Sequence, residues 1–145
     1  MGIKEITIEE IRKKFDENDI QSSYHRLRIY QYLYGNFSHP TVEEIYNDLM
    51  KEIPTLSKTT IYTTLKLLVN KKLIREMSLD ENEMRYEARL DFHTHFKCVK
   101  CGKIYDIENP FSDLTSFERK DIEGHEIDEI RIYFKGICKI CRIKK

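Results

Sequence analysis

The chain has no surplus of either charge: 25 Lys+Arg stand against 25 Asp+Glu in 145 residues. A charged partner can therefore be marked only by local bias, not by the total. No run approaches the ~18 apolar residues that a membrane-spanning helix needs. The opening segment MGIKEITIEE has no apolar core of the signal-peptide kind, which predicts a cytoplasmic protein. Proline and glycine are scarce, at 3 and 5, and 40% of the residues are hydrophobic, which excludes wholesale disorder. There is no Gly-rich phosphate loop and no defensible Ser-His-Asp arrangement, so the chain does not read as an enzyme. Cysteines number only 4, and in a cytosolic chain they read as metal ligands or redox groups rather than structural disulfides. The length suits one domain or two small ones.

Acidic residues are missing from two windows, between Asp19 and Glu43 and between Glu52 and Glu76. The first holds His25, Arg26, Arg28 and His39; the second holds Lys58, Lys66, Lys71, Lys72 and Arg75. Each is either a solvated helix face or a surface for an anionic partner such as DNA. The second window lies in a suggestive context. Thr7 with Glu10, and Thr41 with Glu44, have the spacing of capping boxes, while Ser22 or Ser23 and Ser57 can cap two further helices. Apolar residues then recur at helical spacing: Ile8, Ile11 and Phe15; Leu27, Ile29, Tyr30 and Leu33, ending near Gly35; Val42, Ile45, Tyr46 and Leu49; Ile61, Leu65 and Leu68. Two β-like runs, Ile74–Ser78 and Met84–Ala88, flank a polar turn.

Helix, short turn, helix and hairpin is the pattern of a winged helix, in which the second helix of the pair enters the major groove. That helix would present Lys58, Thr59, Tyr62, Thr63 and Lys66 opposite its buried stripe. Hydroxyl and ammonium groups suit phosphates, and hydroxyls and methyls suit base edges. The same polar face could also simply meet water.

From about Leu90 the pattern changes. Strands are expected at His95–Lys100 and Lys103–Glu108, a short helix after Ser112 with Leu114 and Phe117, and a long strand over Ile127–Gly136 that places Ile130, Ile132 and Phe134 on one face. The expected fold is α+β: an N-terminal winged helix over residues 1–89 and a small α/β unit over residues 90–145. Three strands and one helix leave an apolar sheet face that a second copy would cover, so a homodimer is expected.

The cysteines form two CxxC pairs, Cys98/Cys101 and Cys138/Cys141. Each pair brings two thiolates to one tight turn, as a tetrahedral S₄ zinc site requires, and no thioredoxin-like βαβ pattern surrounds either. Just ahead, His93 and His95 stand at i and i+2, which on a strand point the same way. With nearby Glu87 and Asp106, and with His39 in a loop, they are either ligands in a mixed N/O set suited to Fe(II), Mn(II) or Zn(II) or ordinary surface residues.

Several stretches together resemble the ferric uptake regulator (Fur) family over nearly the whole chain: His39-Pro-Thr41, Ser57-Lys-Thr-Thr-Ile-Tyr62 with Leu65, the run from His93 to Gly102, and the final CxxC. The resemblance implies a metal-dependent transcriptional repressor that binds an operator in double-stranded DNA as a homodimer. It implies an N-terminal DNA-binding domain, a C-terminal dimerisation domain and a regulatory Fe²⁺ or Mn²⁺ ion between them. It places His39, Glu87, His93, His95 and Asp106 at the regulatory site, the four cysteines at a structural Zn²⁺ site, and Arg26 and Tyr62 against DNA. The family's additional metal site needs histidines where this chain has Phe92 and Ile130, so that site is expected to be absent and His125 to be a turn or surface residue. Asp106 resembles the peroxide-sensing (PerR) branch, whereas Glu87 stands where that branch usually has Asp. The competing classes are a zinc hydrolase, a thiol oxidoreductase and a metal buffer that does not bind DNA. A closed four-thiolate site leaves a hydrolase no open position, and a buffer has no need of an acid-free helix.

Overall fold

Each N-terminal helix begins where a side chain can satisfy its first backbone N–H groups, which have no partner inside the helix. In α1 (Ile8–Glu17), the Thr7 hydroxyl accepts the Glu10 N–H at 3.1 Å and the Glu10 carboxylate accepts the Thr7 N–H at 3.3 Å. In α3 (Val42–Leu49), Thr41 and Glu44 repeat the exchange at 3.2 and 3.4 Å. Ser23 caps α2 (Tyr24–Tyr34), which ends at Gly35, and Ser57 caps α4 (Lys58–Asn70). The computed structural model describes residues 5–36, 38–79, 83–108, 111 and 118–144.

The chain divides into two compact units, Met1–Leu90 and Asp91–Lys145. The core of the first unit is built from the expected stripes: Ile11 and Phe15 of α1, Leu27, Ile29, Tyr30 and Leu33 of α2, Val42, Ile45 and Leu49 of α3, and Ile61, Leu65 and Leu68 of α4. Between α3 and α4 the chain turns tightly, with Ile53 N–H donating to the Leu49 carbonyl at 2.9 Å and both Ile53 and Leu56 buried. After α4 come β1 (Arg75–Met77) and β2 (Arg85–Glu87), antiparallel, with Glu76 opposite Tyr86. A helix-turn-helix followed by a two-stranded hairpin is consistent with a winged helix. Thr41→Ala removes one capping acceptor and is expected to cost about 1 kcal/mol in urea unfolding.

The second unit has a three-stranded sheet. The central β3 (Thr94–Cys98) pairs antiparallel with β4 (Ile104–Ile107) and parallel with β7 (Tyr133–Gly136). The long strand expected over Ile127–Gly136 is thus only its last four residues. The register begins at His95↔Tyr133, one residue into β3, so the residues before Ile132 lie beyond the start of that strand. In front of them stands an unanticipated hairpin of β5 (Asp121–Ile122) and β6 (His125–Glu126), with His125 exposed. Its turn residues Glu123 and Gly124 have φ of 50° and 84°, the pair of positive values that the tightest hairpin loops require. A second unanticipated element is the short helix α5 (Lys139–Ile143), capped by Cys138. The helix expected after Ser112, with Leu114 and Phe117, lies outside the described residues. Helices and sheets together make the fold α+β. Among the described residues no helix is long and apolar enough to cross a membrane.

Candidate metal centres and nucleic-acid face

The four cysteines converge because β3 and β7 are parallel neighbours whose C-terminal ends meet at Cys98↔Gly136. After Cys98 the chain reverses: Gly102 N–H donates to the Cys98 carbonyl at 2.9 Å, and Gly102 adopts φ +78°, a conformation that favours glycine. After Gly136, Cys138 enters the N-terminus of α5. All four cysteines are thiols rather than disulfides, and their sulfur atoms lie within 4.8 Å of one another. Cys101 Sγ and Cys138 Sγ are 3.9 Å apart. Four sulfurs held tetrahedrally at 2.3 Å from a Zn²⁺ ion would stand about 3.8 Å apart, so the donor set fits that ion in both spacing and chemistry.

The surroundings favour the thiolate at Cys98 and Cys138 and the thiol at Cys141. Cys98 Sγ accepts N–H bonds from Cys101 at 3.4 Å and Cys138 at 3.3 Å. Led by the Cys101 bond, these contacts hold the Cys98 thiol below its ordinary range. The Tyr105 hydroxyl, helped by the Cys141 N–H, lowers Cys138 to about 6. The same contact with Cys138 raises Tyr105 to about 12. Cys141 is pushed up to about 12, first by hydrogen bonding to the Cys138 sulfur and then by burial. Tyr105 was not singled out in the sequence, and nothing in its local spacing indicates this role.

A second donor group lies at the start of the same sheet. His93 and His95 point the same way from β3 and its approach, and Asp106 of β4 sits directly opposite His95 in the register. His93 Nε2 is 3.0 Å from His95 Nε2, and Asp106 Oδ1 is 3.7 and 3.5 Å from these two nitrogens. The Nδ1 of His93 lies 2.8 Å from the Asp91 carbonyl. A carbonyl only accepts, so Nδ1 is the donor here, which leaves Nε2 as the nitrogen that faces His95 and Asp106. Two imidazoles and one carboxylate form the mixed donor set typical of Fe(II) sites with open positions.

In the first unit, His39 and Glu87 are both buried, with His39 Nε2 3.3 Å from Glu87 Oε2. His39 sits in the loop before α3, and Glu87 ends β2. The backbone of His39 has φ +58°, unusual for a residue other than glycine.

On α4, Lys58, Thr59, Tyr62, Thr63 and Lys66 are all exposed, opposite buried Ile61, Thr64, Leu65 and Leu68. Lys58 is not idle: its Nζ lies 2.6 Å from the Glu43 carboxylate and 5.2 Å from the centre of the Tyr46 ring. The bond to Glu43 raises the pKa of Lys58. Arg26 is half-buried in α2 and donates to the Gln21 carbonyl at 2.9 Å. Between α4 and the hairpin is a hollow lined by Tyr62, Thr63 and Lys66 on one side and Glu76 and Tyr86 on the other. Glu76 and Tyr86 were not among the sequence candidates, because the hollow depends on how the hairpin packs.

Residues 17–135 match the ferric uptake regulator family. Among curated relatives, the peroxide-responsive repressor PerR of Staphylococcus epidermidis is 31% identical over 117 residues, covering 81% of this chain and 78% of that protein. The protein of the same name from Staphylococcus aureus is 28% identical, covering 96% of this chain and 99% of its own. Among solved structures, the ferric uptake regulator of Helicobacter pylori has the same fold, with a TM-score of 0.74 at 23% identity and 95% of each chain covered.

Proposed function

Because the chain belongs to the ferric uptake regulator family, we propose that it is a metal-dependent repressor that binds operator DNA as a homodimer and senses peroxide. Residues 1–89 serve as the DNA-binding domain and residues 90–145 as the dimerisation and metal-binding domain. The observation that carries the reading is the donor set of His93, His95 and Asp106, whose ligand atoms lie 3.0–3.7 Å apart. His39 and Glu87 complete a five-ligand regulatory site for Fe²⁺ or Mn²⁺, and Cys98, Cys101, Cys138 and Cys141 hold a structural Zn²⁺.

The mechanism is linkage. His39 and Glu87 belong to one unit and His93, His95 and Asp106 to the other. All five side chains can ligate one ion only when the units are suitably disposed, so occupancy favours that disposition by its differential affinity. A switch from 1:99 to 99:1 needs about 5.5 kcal/mol.

On DNA, Tyr62, Thr63 and Lys58 face the major groove, with Thr59 and Lys66 beside them on α4, while Arg26 faces the backbone. Lys58 must then exchange the Glu43 carboxylate for phosphate. Lys58→Ala is expected to weaken binding to all sequences alike and to reduce the salt dependence by about one unit of slope. Changes at Tyr62 or Thr63 are expected to alter sequence preference instead, at about 1–3 kcal/mol per base contact. A gel shift on genomic fragments, with salt and divalent metal varied, measures both.

Similarity to two peroxide-responsive repressors supports the peroxide reading. Bound Fe(II) would supply reduction of hydrogen peroxide beside these imidazoles, chemistry that Mn(II) does not readily run. An oxidised His39 or His93 is a poor ligand, so the five-ligand set fails and DNA is released. The test is to load the protein with Fe(II), add dilute peroxide and weigh tryptic peptides. One added oxygen on His39 or His93, with DNA released, is expected. Unmodified histidines with DNA still bound would favour the second reading, a regulator that responds to iron or another divalent metal alone. The longer side chain of Glu87, one methylene beyond Asp, favours that reading by reaching further into the space peroxide must enter.

A further inference from the structure

His39 is gripped from two sides by one strand. Arg85 and Glu87 stand at i and i+2 on β2 and so project to the same side. Glu87 meets the His39 ring, with Oε2 3.3 Å from Nε2. Arg85 takes the other end of the residue, its guanidinium donating to the His39 carbonyl at 3.0 Å. Two backbone links reinforce the grip: Tyr86 N–H donates to the Pro40 carbonyl at 3.1 Å, and Thr41 bridges antiparallel to Arg85. The same guanidinium lies 3.7 Å from Glu44, the acid of the α3 capping box, and 3.5 Å from Glu83. One side chain thus ties together the hairpin, the His39 backbone and the N-terminus of the first helix of the helix-turn-helix.

The conformation being held is an uncommon one. At φ +58° His39 sits where L residues seldom rest, and such a backbone persists only when its surroundings over-determine it. Relaxing it would swing the imidazole away from Glu87. A planar fork can serve a carbonyl and two carboxylates at once; an ammonium on a flexible stem holds no such geometry.

We propose that Arg85 is a positioning residue for the metal-responsive pair: it pre-sets the His39 imidazole beside Glu87 and mechanically joins that pair to the hairpin and to α3. This inference rests on His39 and Glu87 being ligands, as argued above. Arg85 acts through His39 and Glu44. Were it merely a charge among Glu44 and Glu83, its loss would leave metal affinity unchanged.

The experiment is a titration of the full-length, zinc-containing protein with Mn(II) alone, without DNA, following free Mn(II) by electron paramagnetic resonance. Arg85→Met is expected to weaken Mn(II) binding about 10- to 100-fold, the usual effect of removing a group that orients a ligand. In the metal-free variant the Tyr86 amide is expected to exchange faster with deuterium, while zinc content stays the same. Arg85→Lys, which keeps the charge beside Glu44 and Glu83 but loses the fork, is expected to fall between the two, and it carries the test should Arg85→Met not fold. A folded Arg85→Lys or Arg85→Met protein that binds Mn(II) within twofold of the unmodified chain overturns the proposal. Mn(II) binding that survives His39→Ala overturns the ligand reading and this inference with it. Binding that needs His39 but ignores Arg85 overturns this inference alone.

Discussion

Cys101→Ser is expected to release zinc and dissociate the dimer in one step. Among the described residues of the second unit, little else holds the ends together. Its sheet has three strands, with Tyr133 and Phe134 exposed on β7, and α5 has five residues, too few to persist alone. The four sulfurs join the end of β3 to the start of α5. A structural Zn²⁺ bound by such a set contributes on the order of 10–16 kcal/mol at neutral pH. That equals or exceeds the whole stability of a typical domain, about 5–15 kcal/mol. Loss of one thiolate leaves three donors and a serine hydroxyl that ligates far more weakly. The measurements are zinc content, size-exclusion mass and far-ultraviolet circular dichroism on the same sample. A zinc-free variant that stayed a folded dimer would overturn the structural assignment.

His93→Ala is expected to abolish the metal response of DNA binding while leaving zinc and fold intact. As a ligand, His93 would use Nε2, because its Nδ1 is already engaged by the Asp91 carbonyl. It is also the partner of both His95 and Asp106 in the donor set. Removing a ligand costs more than the about 10- to 100-fold lost with a group that only orients one. Mn(II) at concentrations that saturate the unmodified protein should then leave the variant at its metal-free DNA affinity. Anisotropy of a labelled operator fragment, with and without Mn(II), measures the difference. Metal-dependent binding by His93→Ala equal to that of the unmodified chain would remove His93 from the regulatory set. A metal buffer without a DNA role, by contrast, would show no metal-dependent shift in either protein.

Much of the architecture was legible in local spacing. The two capping boxes, the serine caps of α2 and α4 and the buried stripes of four helices all sit where short-range patterns placed them. These features rest on contacts three or four residues apart, which a linear reading can see. The tight turns around Cys98/Cys101 and Cys138/Cys141 are equally local, and each pair carries its own N–H···S bond across three residues.

Only tertiary structure decided the rest. The last strand is short because its neighbour begins at Thr94, a fact about β3 that the residues before Tyr133 cannot encode. The β5–β6 hairpin rests on a two-residue turn whose first member is Glu123, not one of the usual turn residues. Tyr105 reaches Cys138, Lys58 reaches Glu43 and Arg85 reaches His39 across separations of 33, 15 and 46 residues. Side chains so far apart meet only after helices have packed and strands have chosen their register. Residue type and local spacing determine which groups are available for metal and helix caps. Which of them are oriented, paired and held against their own backbone preference depends on long-range packing that no short window contains.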